Sequence, residues 1–223
     1  MLSLLLAMNT AFAADTPKYE ISIHRELYET LDAPYGIVGH QDELIGFRFG
    51  YQLNRLITVT ASYSTASSGG QNSYYYDYSE QPDVGSSGVG QVLSDYRSNH
   101  FNVGARFSFP LQKWLIPYVS TEAQVSHGYL QLGNTLDKDS ATTLVTASGF
   151  GIGAAGVVGV ELRSRPLFQK FQLTGYLEGG AGITTPLQFS LRDFGGDEAS
   201  DSRSIGELQY GGSVVRAGVG IRF

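Results

Sequence analysis

The chain contains no cysteine, so neither a disulfide nor a thiolate metal site can hold it together. Charge is scarce: Asp, Glu, Lys and Arg make up 16 % of 223 residues. The 15 Lys and Arg, against 21 Asp and Glu, are nowhere gathered into a basic block. A chain of formal charge −6 without a basic stripe lacks the electrostatic footprint of a nucleic-acid binder, and no such partner is expected. Also missing is any apolar run approaching the roughly 20 residues of a spanning helix.

The N-terminus, MLSLLLAMNTAFAADT, runs from an apolar stretch at Leu2 to Met8 into the small-x-small triplet Ala11, Phe12, Ala13. It resembles the end of a secretory signal peptide, although the usual positive start is missing, as in a segment whose true start lies upstream. Residues 1–14 are assigned to that segment and 15–223 to one mature domain, beginning near Ala14 or Asp15. Export without a membrane helix leaves the periplasm, the exterior or an outer membrane.

What the chain does have is glycine, 28 residues, and tyrosine, 14 residues, a composition of strands and irregular loops. The dominant pattern is a period of two. In the last segment Val215, Ala217, Val219, Ile221 and Phe223 alternate with Val214, Arg216, Gly218, Gly220 and Arg222. From Phe171 to Leu191 the apolar side carries Phe171, Leu173, Leu177, Ala181, Ile183, Leu187, Phe189 and Leu191. Similar segments lie near Tyr19 to Tyr28, Glu43 to Gln52, Leu56 to Thr65, Asn99 to Ser108, Leu115 to Leu132 and Val145 to Arg163. Short connections (Leu53 to Arg55, Phe109 to Trp114, Ser164 to Lys170) alternate with long ones (Leu31 to Asp42, Ala66 to Ser98, Gly133 to Thr143, Arg192 to Ser204). An even number of strands with tight turns on one rim and long loops on the other predicts an all-β, eight-stranded, antiparallel, up-and-down transmembrane barrel.

A soluble calyx barrel alternates too, but with its apolar face inward. Here Gly46, Gly50, Gly104, Gly151, Gly153, Gly180, Gly182, Gly218 and Gly220 share the polar parity, where bare backbone suits a narrow lumen. Gly175 and Gly179 sit on the other. The apolar parity carries aromatics near both strand ends: Tyr51, Phe107, Phe171 and Phe223 towards the short turns, Tyr63, Tyr129 and Phe189 towards the long loops. Two aromatic belts separated by aliphatic residues predict a wall that faces lipid.

In layout, Tyr19 to Phe223 resembles the small outer-membrane barrels typified by the OmpA transmembrane domain and the OmpX and OmpW families. The resemblance implies a bacterial outer-membrane location with both termini on the periplasmic side, and contact with outer-membrane lipids and lipopolysaccharide. It also implies an assembly signal read by the outer-membrane assembly machinery: Phe223 with Val219 and Ile221, and Tyr210 upstream. No family-specific functional motif comes with it.

The lumen-facing parity collects Glu20, His24, Glu26, Arg48, Arg106, Glu122, Glu178, Arg216 and Arg222, with Glu161 and Arg163 from the sixth strand. Nearly balanced charges in so narrow a space predict a hydrogen-bonded, salt-bridged plug, the kind of interior known from the OmpA barrel. A narrow small-solute channel is the alternative, and a lipid A-modifying enzyme is a third reading. For the enzyme, Ser126, His127 and Glu122 are the best local set, but Ser126 and Glu122 share a parity opposite to His127. No catalytic, cofactor or metal residues are assigned; His24, His40 and His100 have no ligand spacing. In the longest loop Tyr74, Tyr75, Tyr76 and Tyr78 form a candidate contact surface for an extracellular ligand, tyrosine giving large contact area with few rotatable bonds.

Overall fold

The structure, a computed structural model, describes residues 18–32, 41–77, 87–135, 143–167, 171–191 and 203–223. Residues 1–14, the expected signal segment, lie outside them. The described chain contains nine strands and no helix: β1 (Tyr19–Asp32), β2 (Gln41–Gln52), β3 (Ile57–Asp77), β4 (Ser87–Ser108), β5 (Leu115–Thr135), β6 (Thr143–Arg163), β7 (Gln172–Thr184), β8 (Leu187–Leu191) and β9 (Arg203–Arg222). Each pairs antiparallel with the next up to β7, β7 pairs with β9, and β9 closes on β1. Eight strands therefore form a closed barrel, with β8 paired only to the outer half of β9.

Closure follows from the alternation. Outward positions are apolar and exposed: Ile21, Ile23, Phe47, Val103, Val125, Ile152, Val158, Leu177, Val219 and Ile221. At the short-turn rim Tyr19 meets Tyr51 and Phe223 with ring centroids 5.3 and 5.8 Å apart, and Phe171 meets Phe223 at 6.2 Å. Towards the other rim Phe47 packs on Tyr63 and His127 on Phe150. There the outward face also turns polar: Arg25 pairs with Glu43, and the Tyr63 hydroxyl donates to Asn99. An apolar band between two aromatic girdles matches a lipid-facing wall. The turns on the first rim are tight; Asn54 Oδ1 accepts the amides of Leu56 and Ile57, closing the β2–β3 connection.

Three segments depart from the alternation pattern. Much of the expected loop from Ala66 to Ser98 is strand: β3 and β4 stay paired as far as Asp77↔Ser87. Outside a bilayer both faces of a hairpin are solvated, so apolar alternation fades while the ladder of backbone hydrogen bonds continues. Secondly, the expected seventh strand breaks at Thr185 and Pro186, and β8 resumes with reversed parity. Leu187 and Phe189 are thus buried inside and not in the outer aromatic belt. Thirdly, β9 bulges where Thr30 pairs with Tyr210 but Tyr28 with Val214. Gly212 sits there at φ 91°, where a Cβ would strike the Glu29 carboxylate; that carboxylate accepts the Ser213 amide at 2.8 Å.

The wall assignment predicts that Val219→Arg, an outward position level with Ile23 and Gly175, destabilises the membrane-inserted barrel by about 2–4 kcal/mol. Reversible denaturation in thin liposomes measures this; an unchanged midpoint would mean that the inside and outside assignments are reversed.

Candidate functional site

The lumen is built in layers. Every inward charge named from the sequence is buried except Arg163, whose side chain is 18 % exposed at the short-turn end. In the layer nearer that end, Arg106 forks onto Glu20 at 2.6 and 3.2 Å and reaches Glu161 at 3.2 Å. Glu161 is shared with Arg222 at 3.1 Å and with Arg163, and Arg222 also bonds Gln52. In the next layer Arg48 forks onto Glu178 at 2.6 and 2.8 Å. Arg216 there contacts Glu122 at 2.7 Å and Glu26 at 2.9 Å. His24 bonds Ser64 at 3.0 Å, and Ser64 in turn donates to Glu26.

Room for these guanidinium groups comes from tyrosine and glycine set opposite each other. Tyr118 pairs with Gly159 and Tyr176 with Gly218, each inward ring lying across the bare glycine. Arg106 then stacks over Tyr118 at 5.2 Å and Arg48 over Tyr176 at 4.8 Å. The Tyr118 hydroxyl donates to Glu178 at 2.7 Å and so joins the two layers. Sequence alternation placed the charges, with Tyr176 on their side, but missed Tyr118 and the pairing of both rings with glycine; the register that sets Tyr opposite Gly is the signal that identifies it.

Towards the long-loop end the lining changes character. His100 Nδ1 lies 2.9 Å from Ser126 Oγ, and the Gln124 amide nitrogen is within hydrogen-bond distance of both. Above them sits an apolar cap: Leu44, Leu130, Leu187, Phe189, Leu208 and Val214 with Tyr28, Tyr96 and Tyr210. Tyr96 and Tyr210 share a hydrogen bond between hydroxyls at 2.7 Å, and the Tyr210 ring meets His100 edge-on at 4.5 Å. Among the described residues, two charged layers, a polar level and an apolar cap therefore succeed one another along the lumen.

Of the sequence-derived candidates, Ser126 faces the lumen and His127 the outside, as parity required. Ser126 is instead next to His100, on the neighbouring strand, with no carboxylate hydrogen-bonded to that ring among the described residues. Val219, Ile221 and Phe223 point outward, whereas Tyr210 is enclosed in the cap, so the four expected signal residues divide between two faces. Tyr74, Tyr75 and Tyr76 belong to β3, Tyr78 lies outside the described residues, and so does His40. Among the described residues no group of three or more His, Asp or Glu is placed to hold a metal ion.

No family model and no curated protein matches the chain. Solved structures do. The outer membrane protein OprG from Pseudomonas aeruginosa is 12 % identical, with 93 % of this chain and 96 % of that chain covered and a TM-score of 0.52. Ail, the attachment invasion locus protein of Yersinia pestis, in complex with the heparin analogue sucrose octasulfate, is 13 % identical over 93 % and 99 %, TM-score 0.43. The outer membrane protease OmpT from Escherichia coli is 13 % identical over 96 % and 98 %, TM-score 0.44. The chain has the fold of the small outer-membrane β-barrels.

The ion-pair layers predict a strongly asymmetric mutational response. Glu178→Leu alone leaves the Arg48 guanidinium with only the longer 3.8 Å contact to Glu122 and costs about 3–5 kcal/mol, whereas Arg48→Met combined with Glu178→Leu costs much less. A double-mutant cycle on denaturant unfolding in lipid or detergent measures the difference; additive losses would show that the layer is not a coupled unit.

Proposed function

We propose that the protein is a bacterial outer-membrane barrel with a structural and surface-interaction role, without catalytic activity, in which a closed cylinder holds a projecting β-sheet at the cell surface. Its wall contacts outer-membrane lipids and lipopolysaccharide, and both ends of the mature chain lie on the periplasmic side. The observation that carries this reading is the length of β3 to β6. These strands have 21, 22, 21 and 21 residues, about twice the 9–11 that a tilted strand needs to cross a bilayer. Their neighbours are shorter, and the ladder between β2 and β3 ends at Ile45↔Thr65. Beyond it, from Ala66 to Asp77, the far edge of β3 has no strand partner among the described residues. An unpaired row of backbone donors and acceptors receives an extended segment of another protein by strand addition, and Tyr74, Tyr75 and Tyr76 lie on that edge strand.

Two charged layers and an apolar cap across the lumen favour the closed barrel over the solute channel. Planar-bilayer recording of the purified protein is expected to show no steady conductance. Reproducible currents that fall on Arg106→Ala or Arg216→Ala would replace the closed-barrel reading with a pore.

The surface role is tested by replacing residues 70–94 with Asn-Gly, which joins β3 to β4 by a tight turn near Gly69↔Asp95. Cells displaying the parent are expected to adhere to a surface coated with extended, β-branched and aromatic peptides able to add as a strand, and cells displaying the shortened barrel at equal membrane level to lose at least tenfold of that adhesion. Equal adhesion by both would remove the projecting sheet from the function.

A further inference from the structure

We propose that β8 is a movable strap with a second seat in the barrel wall, and that its release opens the external mouth onto the polar cluster around His100, Ser126 and Gln124. In its observed seat β8 leans into the lumen. Leu187 reaches Gly151 and Gly128 on the inner faces of β6 and β5, Phe189 reaches Gly128, and the Gln188 carbonyl lies over Gly149. There is no ladder between β8 and β6 among the described residues.

The second seat is already marked out by the strands on either side. β6 and β7 pair as far as Gly153↔Thr184, and the Thr185 amide still donates to the Ile152 carbonyl at 2.7 Å. In return the Ile152 amide donates to the Thr185 hydroxyl at 3.0 Å, a side-chain oxygen standing where a strand carbonyl would continue the ladder. Continued in that register, Leu187 would face Phe150, Gln188 Gly149 and Phe189 Ser148. Phe150 and Ser148 point outward and Gly149 inward. Leu187 and Phe189 would thus move to the outer face and Gln188 to the lumen, the parity that the sequence alternation follows. Pro186 does not obstruct this, because in an antiparallel ladder hydrogen-bonded positions alternate, and the one after the bonded Thr185 needs no amide on the β6 side. On the β9 side the change is a slip of one residue. Ile183 faces Gly211, but Leu187 faces Leu208 where an unbroken register gives Glu207. A slip of one residue reverses every side chain of a strand.

In the observed seat Leu187 lies against Gly151, the cross-strand partner of Ser126, so the strap adjoins a cluster suited to solvent exchange. Tyr28 Oη, His100 Nε2 and Gln124 Oε1 are buried without a hydrogen-bond partner among the described residues. Tyr28 packs 6.1 Å from His100 between ring centroids, and Gln124 bonds His100 directly. Unsatisfied donors and acceptors beside a removable apolar lid make a vestibule for small, uncharged, hydrogen-bonding solutes. The charged layers beyond it stay in place, so the vestibule is blind and the barrel need not conduct.

Because the chain lacks cysteine, Ser126→Cys places a single thiol on the vestibule floor. The probe is 2-hydroxyethyl methanethiosulfonate, added outside liposomes, with modification at position 126 read by mass spectrometry. Adding Gly149→Val is expected to raise the labelling rate at least tenfold. A side chain at 149 collides with the Gln188 carbonyl in the inner seat and is an ordinary inward residue beside a ladder. Conversely, an oxidised Leu187→Cys, Leu208→Cys pair holds the observed register; labelling at 126 should fall at least tenfold and return after reduction and removal of the reductant. The heat-modifiable band reports folding in each case, and Gly128→Leu, which fills the seat of Phe189, replaces Gly149→Val if that variant does not fold. A labelling rate at 126 that is the same with the disulfide closed and open, or unchanged in a folded seat-filling variant, overturns the proposal.

Discussion

An eight-stranded wall encloses a lumen only as wide as the side chains that fill it, so a charge pointing inward must touch its counter-charge. The rest of the interior follows from that. Glu20, Glu26, Glu122, Glu161 and Glu178 meet Arg48, Arg106, Arg163, Arg216 and Arg222, and each carboxylate contacts at least one guanidinium. The geometry favours arginine over lysine, since its planar fork can engage a carboxylate with two parallel bonds while its face rests on an aromatic ring. Arg48 does both, gripping Glu178 and covering Tyr176. Such layers bring little net stability compared with an apolar filling, but any alternative register would strand several buried charges at once. Their contribution is to the choice of one arrangement.

Space governs the same interior from the other side. A tyrosine and an arginine at one level of so narrow a barrel leave room for little else, and the strand opposite each ring supplies glycine at Gly159 and Gly218. The abundance of glycine and of tyrosine is therefore one fact and not two. Where the lining becomes apolar, near Leu44, Leu130 and Val214, the described residues bring no further buried charge and the lumen is filled by hydrophobic contact.

The wall and the charges were legible in the sequence because membrane and lumen impose opposite chemistries on alternate residues. Ile21, Ile23, Val219 and Ile221 on one side and Glu20, Arg48, Arg106 and Arg216 on the other follow a strict parity that no loop would keep. The pattern became unreadable where that contrast ends. Past Thr65, Ser67 to Ser73 offers no apolar face, and a strand made only of ladder hydrogen bonds looks like a loop. Leu187 and Phe189 keep the beat of β7 yet point the other way, because parity records spacing and not the direction in which a broken strand resumes. The pairing of Ser126 with His100 joins two strands, and only register, which depends on turn lengths, brings them level.

Both irregular features sit at the same end of the barrel and arise from the same mismatch. β3 to β6 are longer than their neighbours, so towards the long-loop rim the sheet has two flanks along which no ladder continues among the described residues. The β6 flank has β8 close at hand, in the lumen and still paired to β9. The β3 flank has no such neighbour among the described residues, and its composition manages the exposure: Ser67, Ser68, Gly69, Gly70, Gln71, Asn72 and Ser73 present a polar edge that gives a second hydrophobic strand little to bury. In the proposed surface role, strand addition there would fall to partners that bring their own contact chemistry, with Tyr74, Tyr75 and Tyr76, which follow directly in β3, as the contact residues. On that proposal, a polar stretch that keeps the edge single and an aromatic stretch at its outer end that offers contact area would separate self-association from binding along one strand.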